Sequence, residues 1–470
     1  MDRKEKIVLI NPPLSKKERY DFVALSGGIE PPHGLCYLAG AIRQIKYPVE
    51  IIDAQALNLD IDGTLEKIKT LQPSIVGFTA VTALIHKAGN LAEKIKTFNP
   101  EIITIIGGVH ISGLPKETME RFRGFDIGII GEGEIAVQEL IRCHQSHKSF
   151  ENVNSLVFRK KGVLFFTKSQ GFIENLDDLP YPAYDLLPKL DKYYYLPPQN
   201  TILHPSISII TSRGCPFNCR FCDHSVFSNK YRSHGAEYVV SILENLKKNY
   251  GVKNVFIQDD TFLIDEDRAV KIVSLMIERQ VNIKWGCHIR PDTILSKHLL
   301  KLMRLSGCWS LNLGIETCSP KILEVLGKKF NIIKMGEALQ WYKEYGFVLK
   351  GLLMIGNPLE DEMTLQETLR CIKALPLDDI SIAYFTPYPA TEIYNNISNY
   401  GEFNEDWKNM SSYKILFIPK ALDKKKLEEY FIKFLKSFYL RPKIIFNYIF
   451  RLRSWNQFLK YMRAATVLFR

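Results

Sequence analysis

Thr211-Ser-Arg-Gly-Cys-Pro-Phe-Asn-Cys-Arg-Phe-Cys-Asp223 sets three cysteines, Cys215, Cys219 and Cys222, on a C-x3-C-x2-C spacing directly after the apolar run Ile207-Ser-Ile-Ile-Thr211. Thiolates are soft ligands that suit iron–sulfur clusters and zinc. A loop this short can fold three sulfurs around one corner of a cubane, which leaves the fourth iron of a [4Fe–4S] cluster open to a small molecule. Zinc is the competing reading, with His224 as fourth ligand. Structural zinc sites usually pair two separated ligand couples, and no second couple follows here.

The run before the loop is the first of six strand-like segments that alternate with helix-like ones. They are Ile207–Ser212, Asn254–Gln258, Lys284–His288, Ser310–Ile315, Val348–Ile355 and Ile380–Phe385. Six βα repeats predict a partial (β/α)6 barrel over residues 196–395, with its chemistry at the carboxyl ends of the strands. Polar residues mark those ends: Gln258-Asp-Asp-Thr-Phe262, then Arg290 in Cys287-His-Ile-Arg-Pro-Asp292, then Leu313-Gly-Ile-Glu-Thr317. Arg290 is suited to bidentate pairing with a carboxylate, or to an ordinary surface salt bridge.

Residues 1–150 carry a second α/β pattern. Strands are expected at Ile7–Asn11, Val49–Asp53, Ile75–Thr79, Ile102–Ile106 and Ile127–Ile130, with helices between them and after the last. This predicts a doubly wound parallel sheet of order 2-1-3-4-5, with a ligand crevice at the carboxyl ends of the first and third strands. Small and polar residues gather at the strand ends: Asn11-Pro-Pro13, Thr79 to Thr82, Gly107-Gly108-Val-His110 and Gly131-Glu-Gly-Glu134. Residues 151–195 read as a linker containing a hairpin (Ser155–Phe158 and Gly162–Thr167) and a proline- and aspartate-rich connector.

The cysteine loop, with Phe221 just before the third cysteine, resembles the signature of the radical S-adenosylmethionine (SAM) enzymes. Asn11-Pro-Pro13, Pro32-His-Gly-Leu35, Gly107-Gly-Val-His110 and Gly131-Glu-Gly-Glu134 resemble the N-terminal domain of their cobalamin-binding branch. The likeness runs from residue 1 to about 395. It implies a [4Fe–4S] cluster on the three cysteines whose open iron chelates SAM, and an electron that cleaves SAM to a 5′-deoxyadenosyl radical. It also implies cobalamin on the first domain, with Thr79, Thr82, Gly107, Gly108 and His110 as lining residues. By the same likeness Gln258, Asp259 and Asp260 contact the amino group of SAM and Glu316 approaches its sugar. Gly351 and Gly356 lie beside the adenine, although glycines there also have a packing reading. The D-x-H-x-x-G motif that supplies a cobalt-ligating histidine is absent after the first strand. The layout resembles that of hopanoid and phosphinate methylases and of the anaerobic magnesium-protoporphyrin cyclase. The expected reaction is therefore methylation of an unactivated carbon of a small or lipid-like substrate, with radical cyclisation or rearrangement as the alternative. A flavodoxin- or ferredoxin-type reductant is implied.

Composition narrows the remaining classes. At 470 residues, 46% hydrophobic and 24% charged, the chain is long enough for two or three ordinary globular domains. No run of eighteen or more apolar residues and no signal peptide is seen, so a cytoplasmic enzyme is expected. Cys36, Cys143, Cys287, Cys308, Cys318 and Cys371 show no disulfide spacing, and Cys308 and Cys318 read as small core residues. A tRNA methylthiotransferase would need three more clustered cysteines in the first domain, and a cobalamin-binding sensor would leave the cysteine loop without purpose. Residues 396–470 read as a helical region in which Trp407 and Tyr430–Tyr439 close over the barrel mouth. The net charge of +11 is partly in the last thirty residues: Arg441, Lys443, Arg451, Arg453, Lys460, Arg463 and Arg470 accompany an apolar helical stripe. Such a tail suits an anionic membrane surface or packing on its own protein. Nothing suggests a nucleic-acid module.

Overall fold

The first strand, β1 (Ile7–Asn11), is buried at every position, as a strand covered on both faces must be. It lies between β2 (Val49–Asp53) and β3 (Ile75–Thr79), and the parallel sheet continues through β4 (Ile103–Gly107) and β5 (Ile127–Ile129). The computed structural model of the chain describes residues 5–450. Helices His33–Gln44 and Glu134–Gln145 pack together on one face, and Ile61–Leu71 and Ile85–Phe98 on the other. The order is β2-β1-β3-β4-β5, with the switch point between β1 and β3 as expected. The hairpin expected in the linker belongs to this sheet: β6 (Leu156–Lys160) pairs antiparallel with β5, and β7 (Val163–Phe166) follows. Periodicity showed the two strands but could not show what they pair with.

The second sheet starts at β8 (Ser206–Ile209). A short antiparallel pair, β9 (Ser212–Arg213) and β10 (Arg232–Ser233), brackets the cysteine loop. The sheet then continues through β11 (Asn254–Ile257), β12 (Lys284–Ile289), β13 (Cys308–Glu316), β14 (Val348–Ile355) and β15 (Asp379–Tyr384). All neighbours are parallel, and β8 and β15 do not meet, so the sheet is an open half-barrel. Its convex face carries Ile207, Val255, Cys287, Leu311, Leu349 and Ile380, all buried against the outer helices. Each such aliphatic side chain contributes about 2 kcal/mol relative to exposure.

The C-terminal region is divided in its attachments. Helix Lys424–Tyr439 packs against helix Glu362–Ala374 and β15, with Phe431 between Tyr384 and Phe22. Trp407 does not join it over the barrel mouth. Instead it docks on the first sheet, its ring 4.8 Å from that of His110 and 6.4 Å from that of His86. Arg441 caps its own helix and donates to the Lys373 carbonyl, while Ile445 is 43% exposed. Arg451, Arg453, Lys460, Arg463 and Arg470 lie outside the described residues, so the basic stripe is only begun here. No helix among the described residues is long and apolar enough to cross a membrane.

The reading of Cys318 as a plain core residue is corrected: Cys318 and Cys371 are joined in a disulfide, with Cα atoms 6.3 Å apart. A separation of 53 residues carries no local spacing signal, and only the packing of the Glu362–Ala374 helix beside the end of β13 brings the pair together. Cys308 remains a buried free thiol.

Candidate active site

Gly214 makes the turn into the cysteine loop. Its φ is +78°, and a Cβ there would run into the Lys230 carbonyl, so both conformation and space require glycine. Just before the turn, Asp259 at the end of β11 braces the loop's base. Its carboxylate accepts the Thr211 amide, the Thr211 hydroxyl at 2.6 Å and the Ser212 amide at 3.1 Å. Arg268 donates to the Thr211 carbonyl and hydroxyl from the other side. Asp259 is 1% exposed, so the expected acidic pair is divided. Asp259 is fully engaged within the protein and is not free to meet an amino group. Asp260 is exposed, and its carboxylate has no hydrogen bond or ion pair among the described residues. Desolvation and the neighbouring Asp259 charge raise its pKa.

The loop is fixed at two further points. Phe221 packs among Met354, Phe385, Ile393 and Phe417, and the Arg220 amide donates to the Leu326 carbonyl at 2.9 Å. The Cys222 thiol hydrogen-bonds Cys219, which lowers the Cys219 pKa to about 7, with Lys328 and Arg290 adding positive charge; the same bond pushes Cys222 up. Burial raises Cys215. Among the described residues no three metal-ligating side chains close around a point. The donor set still fits a cluster: three thiols on one loop, none disulfide-bonded, beside two cations.

Several expected contacts are otherwise engaged. Arg290 lies over the Phe217 ring at 3.9 Å, donates Nη2 to the Lys329 carbonyl at 2.6 Å and has Nε 3.4 Å from Asp292. Nε and Nη2 are therefore engaged within the protein, as the salt-bridge reading expected, and Nη1 has no hydrogen bond among the described residues. The Gln258 amide is likewise held, donating to Glu30 at 2.7 Å and facing His288 Nε2 at 3.0 Å. Gly351 faces the outer core, where a Cβ would sit 3.0 Å from Leu377, so packing explains it. Gly356, with φ +79°, turns the chain out of β14 and donates to buried Glu360. Glu316 ends β13 at φ +61° beside a bulge, paired with Lys328 at 2.9 Å.

On the first sheet, Gly108 (φ +98°) folds the end of β4 against the end of β3. A Cβ would lie 2.9 Å from Thr79 Oγ1, and the His110 amide donates to the Ala80 carbonyl. His110 Nδ1 is 3.2 Å from the Thr82 hydroxyl, and Nε2 is buried with no partner among the described residues. Burial, helped by His86 and Arg121, lowers its pKa to about 4, so the ring is neutral. Thr79, Thr82, Gly107, Gly108 and His110 are thus brought together. A cavity of about 460 Å³ opens at the ends of β1 and β2, where Pro13, Leu14 and Ala54 meet the polar residues Glu18, Asp60 and Lys87; none of Thr79, Thr82, Gly107, Gly108 and His110 lines it.

The two carboxyl edges face each other. Ser225, three residues after Cys222, reaches the Val109 carbonyl at 3.4 Å. Arg213, two residues before Cys215, pairs with Glu132 at 2.6 Å and Glu134 at 2.5 Å, and Arg232 meets Glu132 at 2.8 Å; all four side chains are at most 7% exposed. Burial works against the Arg213 charge, but the two carboxylates more than offset it and raise its pKa. Residues 131–134 had pointed only to the crevice of the first sheet. Their partner lies about 80 residues away, beyond any local pattern.

Family models match the two halves separately: a B12 binding domain over residues 20–141 and the radical SAM superfamily over residues 209–372. An uncharacterized methyltransferase of Pyrococcus horikoshii is 32% identical over 447 residues, covering 95% of each chain. The chain belongs to the B12-binding radical SAM family. It is accordingly an enzyme of that family. The anaerobic magnesium-protoporphyrin IX monomethyl ester cyclase of Rubrivivax gelatinosus is 28% identical, over 89% of this chain and 76% of its own length. The fold matches that of OxsB, a cobalamin-dependent SAM radical enzyme solved with aqua-cobalamin and SAM bound, with a TM-score of 0.76 at 16% identity over 99% of this chain and 72% of that one.

Proposed function

We propose that this family member binds a [4Fe–4S] cluster at Cys215, Cys219 and Cys222, SAM at the mouth of the half-barrel and cobalamin on the first sheet, and that it methylates an unactivated carbon of a small or lipid-like substrate. The observation that supports this most directly is the apposition of the two edges, through Arg213 with Glu132 and Glu134 and through Ser225 at the Val109 carbonyl next to Gly107–Gly108. When bound, the cluster supplies the electron that splits SAM, and cobalamin carries the methyl group. The protein's own groups do the placing. Asp260 is the free carboxylate for an ammonium group, and Glu316, held by Lys328, faces the same mouth. His110, neutral and anchored by Thr82, lines the cobalamin side without a D-x-H-x-x-G ligand. A flavodoxin- or ferredoxin-type protein supplies electrons, and the basic tail approaches an anionic membrane surface. The relationship to the cyclase favours a second reading, radical cyclisation of the substrate.

The test is anaerobic reconstitution with iron, sulfide and cobalamin, followed by reduction with SAM present. The proposed function requires cluster absorbance, bound cobalamin and 5′-deoxyadenosine together. A folded protein that gives none of them contradicts it.

A further inference from the structure

The half-barrel has a polar inner wall. With Ile207, Val255, Cys287, Leu311 and Leu349 turned to the helices, the alternate residues of the same strands face the concave side. Strand register then places His288, Asn312, Lys350 and Asp379 side by side across β12, β13, β14 and β15. Gln258 continues the row through its hydrogen bond with His288. An apolar ligand alone would not call for such a wall, because each buried polar group needs a partner.

Most of these groups have one. Asp379 accepts from the Tyr439 hydroxyl, from the Tyr448 hydroxyl at 3.1 Å and from the Ile380 amide at 2.9 Å, all three at Oδ1. Asn312 donates to Asn200 at 3.2 Å. Lys350 is the exception. It is 8% exposed, and among the described residues it has neither a hydrogen bond nor an ion pair, only the longer-range field of Asp379. Across from it the Asn312 Oδ1, and two residues earlier on the same face the Ser310 Oγ, both in residues at most 2% exposed, are also without partners among the described residues. A buried ammonium with an unfilled acceptor across from it, and an unfilled hydroxyl further along the same wall, is an incomplete site: its missing partner is an anion that carries, or sits beside, a hydrogen-bond donor.

We propose that Lys350 is the counter-ion for an anionic group on the substrate, a carboxylate or a phosphate, with Asn312 and Ser310 receiving neighbouring polar groups. This rests on the reading that the half-barrel holds the substrate, and it gives that substrate a charged end even where the rest is lipid-like. The interaction is one of binding and orientation, with no bond made or broken at Lys350.

Thermal melting of the full-length protein tests this with three small probes at constant ionic strength in chloride: acetate, methylphosphonate and the neutral acetamide. Saturable stabilisation by acetate identifies a carboxylate site, and by methylphosphonate a phosphate site; acetamide should have no effect. In Lys350→Met the effective anion should bind at least about tenfold more weakly, and in Lys350→Arg binding should be largely restored. Absence of any saturable anion effect in the wild type, or an unchanged effect in Lys350→Met, overturns the inference. Should the Met variant fail to melt cooperatively, amine-labelling of the wild type decides: the anion must protect Lys350, and unprotected labelling contradicts the proposal. Cluster absorbance and 5′-deoxyadenosine are measured on the same preparation. A wild type that cleaves SAM yet ignores the anions contradicts only the anion site, whereas one that cannot cleave SAM contradicts the proposed function.

Discussion

The two parallel sheets use their carboxyl ends in opposite ways. On the first, Thr79, Thr82, Gly107, Gly108 and a neutral His110 make an uncharged shelf of small residues. On the half-barrel, Asp259, Asp260, Arg290, Glu316 and Lys328 surround the cysteine loop with charge. Their interiors differ too. β1 reads Ile-Val-Leu-Ile-Asn and is buried throughout, whereas β13 reads Cys-Trp-Ser-Leu-Asn-Leu-Gly-Ile-Glu and alternates. Continuous apolar strands suit a sheet covered on both faces; alternating ones leave one face for polar work. One sheet is built to let a large flat ligand approach its backbone, the other to hold charged and reacting groups.

The largest expected effect tests the charged edge. Alanine at Cys215, Cys219 and Cys222 together should remove the cluster's absorbance and cut 5′-deoxyadenosine formation by at least about 100-fold, while cobalamin binding by the first sheet persists. If cobalamin binding falls as well, the two edges are not separable. Next comes the link between them. Arg213→Met leaves Glu132 and Glu134 buried without their main counter-ion and should cost about 3–5 kcal/mol in denaturant unfolding. A loss under about 1 kcal/mol would show that the interface does not depend on this network.

Gly108→Val acts on the uncharged shelf alone. The positive φ costs a branched residue about 1–2 kcal/mol, and the added atoms press on Thr79, so cobalamin affinity should fall by about tenfold or more with the cluster spectrum unchanged. Unchanged cobalamin affinity would take the ligand away from this shelf. On the other edge, Asp260→Asn should weaken SAM binding by about tenfold in equilibrium titration and leave thermal stability unaltered, since the carboxylate has no internal partner. Asp259→Asn should do the reverse and lower stability first.

A pH dependence is shared by both sheets. Burial depresses His33, His110, His234 and His288 to about 4 in the folded state. The unfolded chain binds more protons between pH 6.5 and 4, so stability is fully present above about pH 6.5 and falls as pH drops towards 4. Urea unfolding at pH 7, 6 and 5 checks the sign; constant stability across that range would mean that these rings are protonated in the folded protein.

Much of this was legible in the sequence because buried parallel strands leave compact apolar runs. All eleven parallel strands overlap segments expected as strands, from Ile7–Asn11 to Asp379–Tyr384, whether continuously apolar or alternating, and the cysteine loop announces itself by spacing. What the sequence hid depends on partners far along the chain. Asp259 and Asp260 are adjacent and identical in type, and only the amides of Thr211 and Ser212 separate their roles. Arg290 looked free until the Lys329 carbonyl and Phe217 were found against it. Lys350 is unremarkable within Val348–Ile355 and acquires meaning only from the register that sets it between Asn312 and Asp379.

The central claim is that the two edges serve one methyl transfer. The most direct measurement is anaerobic incubation of the reconstituted enzyme with trideuteromethyl-labelled SAM, cobalamin, reductant and a small-molecule extract of its source cells, read by mass spectrometry. The account predicts a metabolite that gains an intact trideuteromethyl group in step with 5′-deoxyadenosine, and the loss of both products when Cys215, Cys219 and Cys222 are replaced. A metabolite consumed in step with 5′-deoxyadenosine that acquires no label would contradict methyl transfer and establish cyclisation or rearrangement instead.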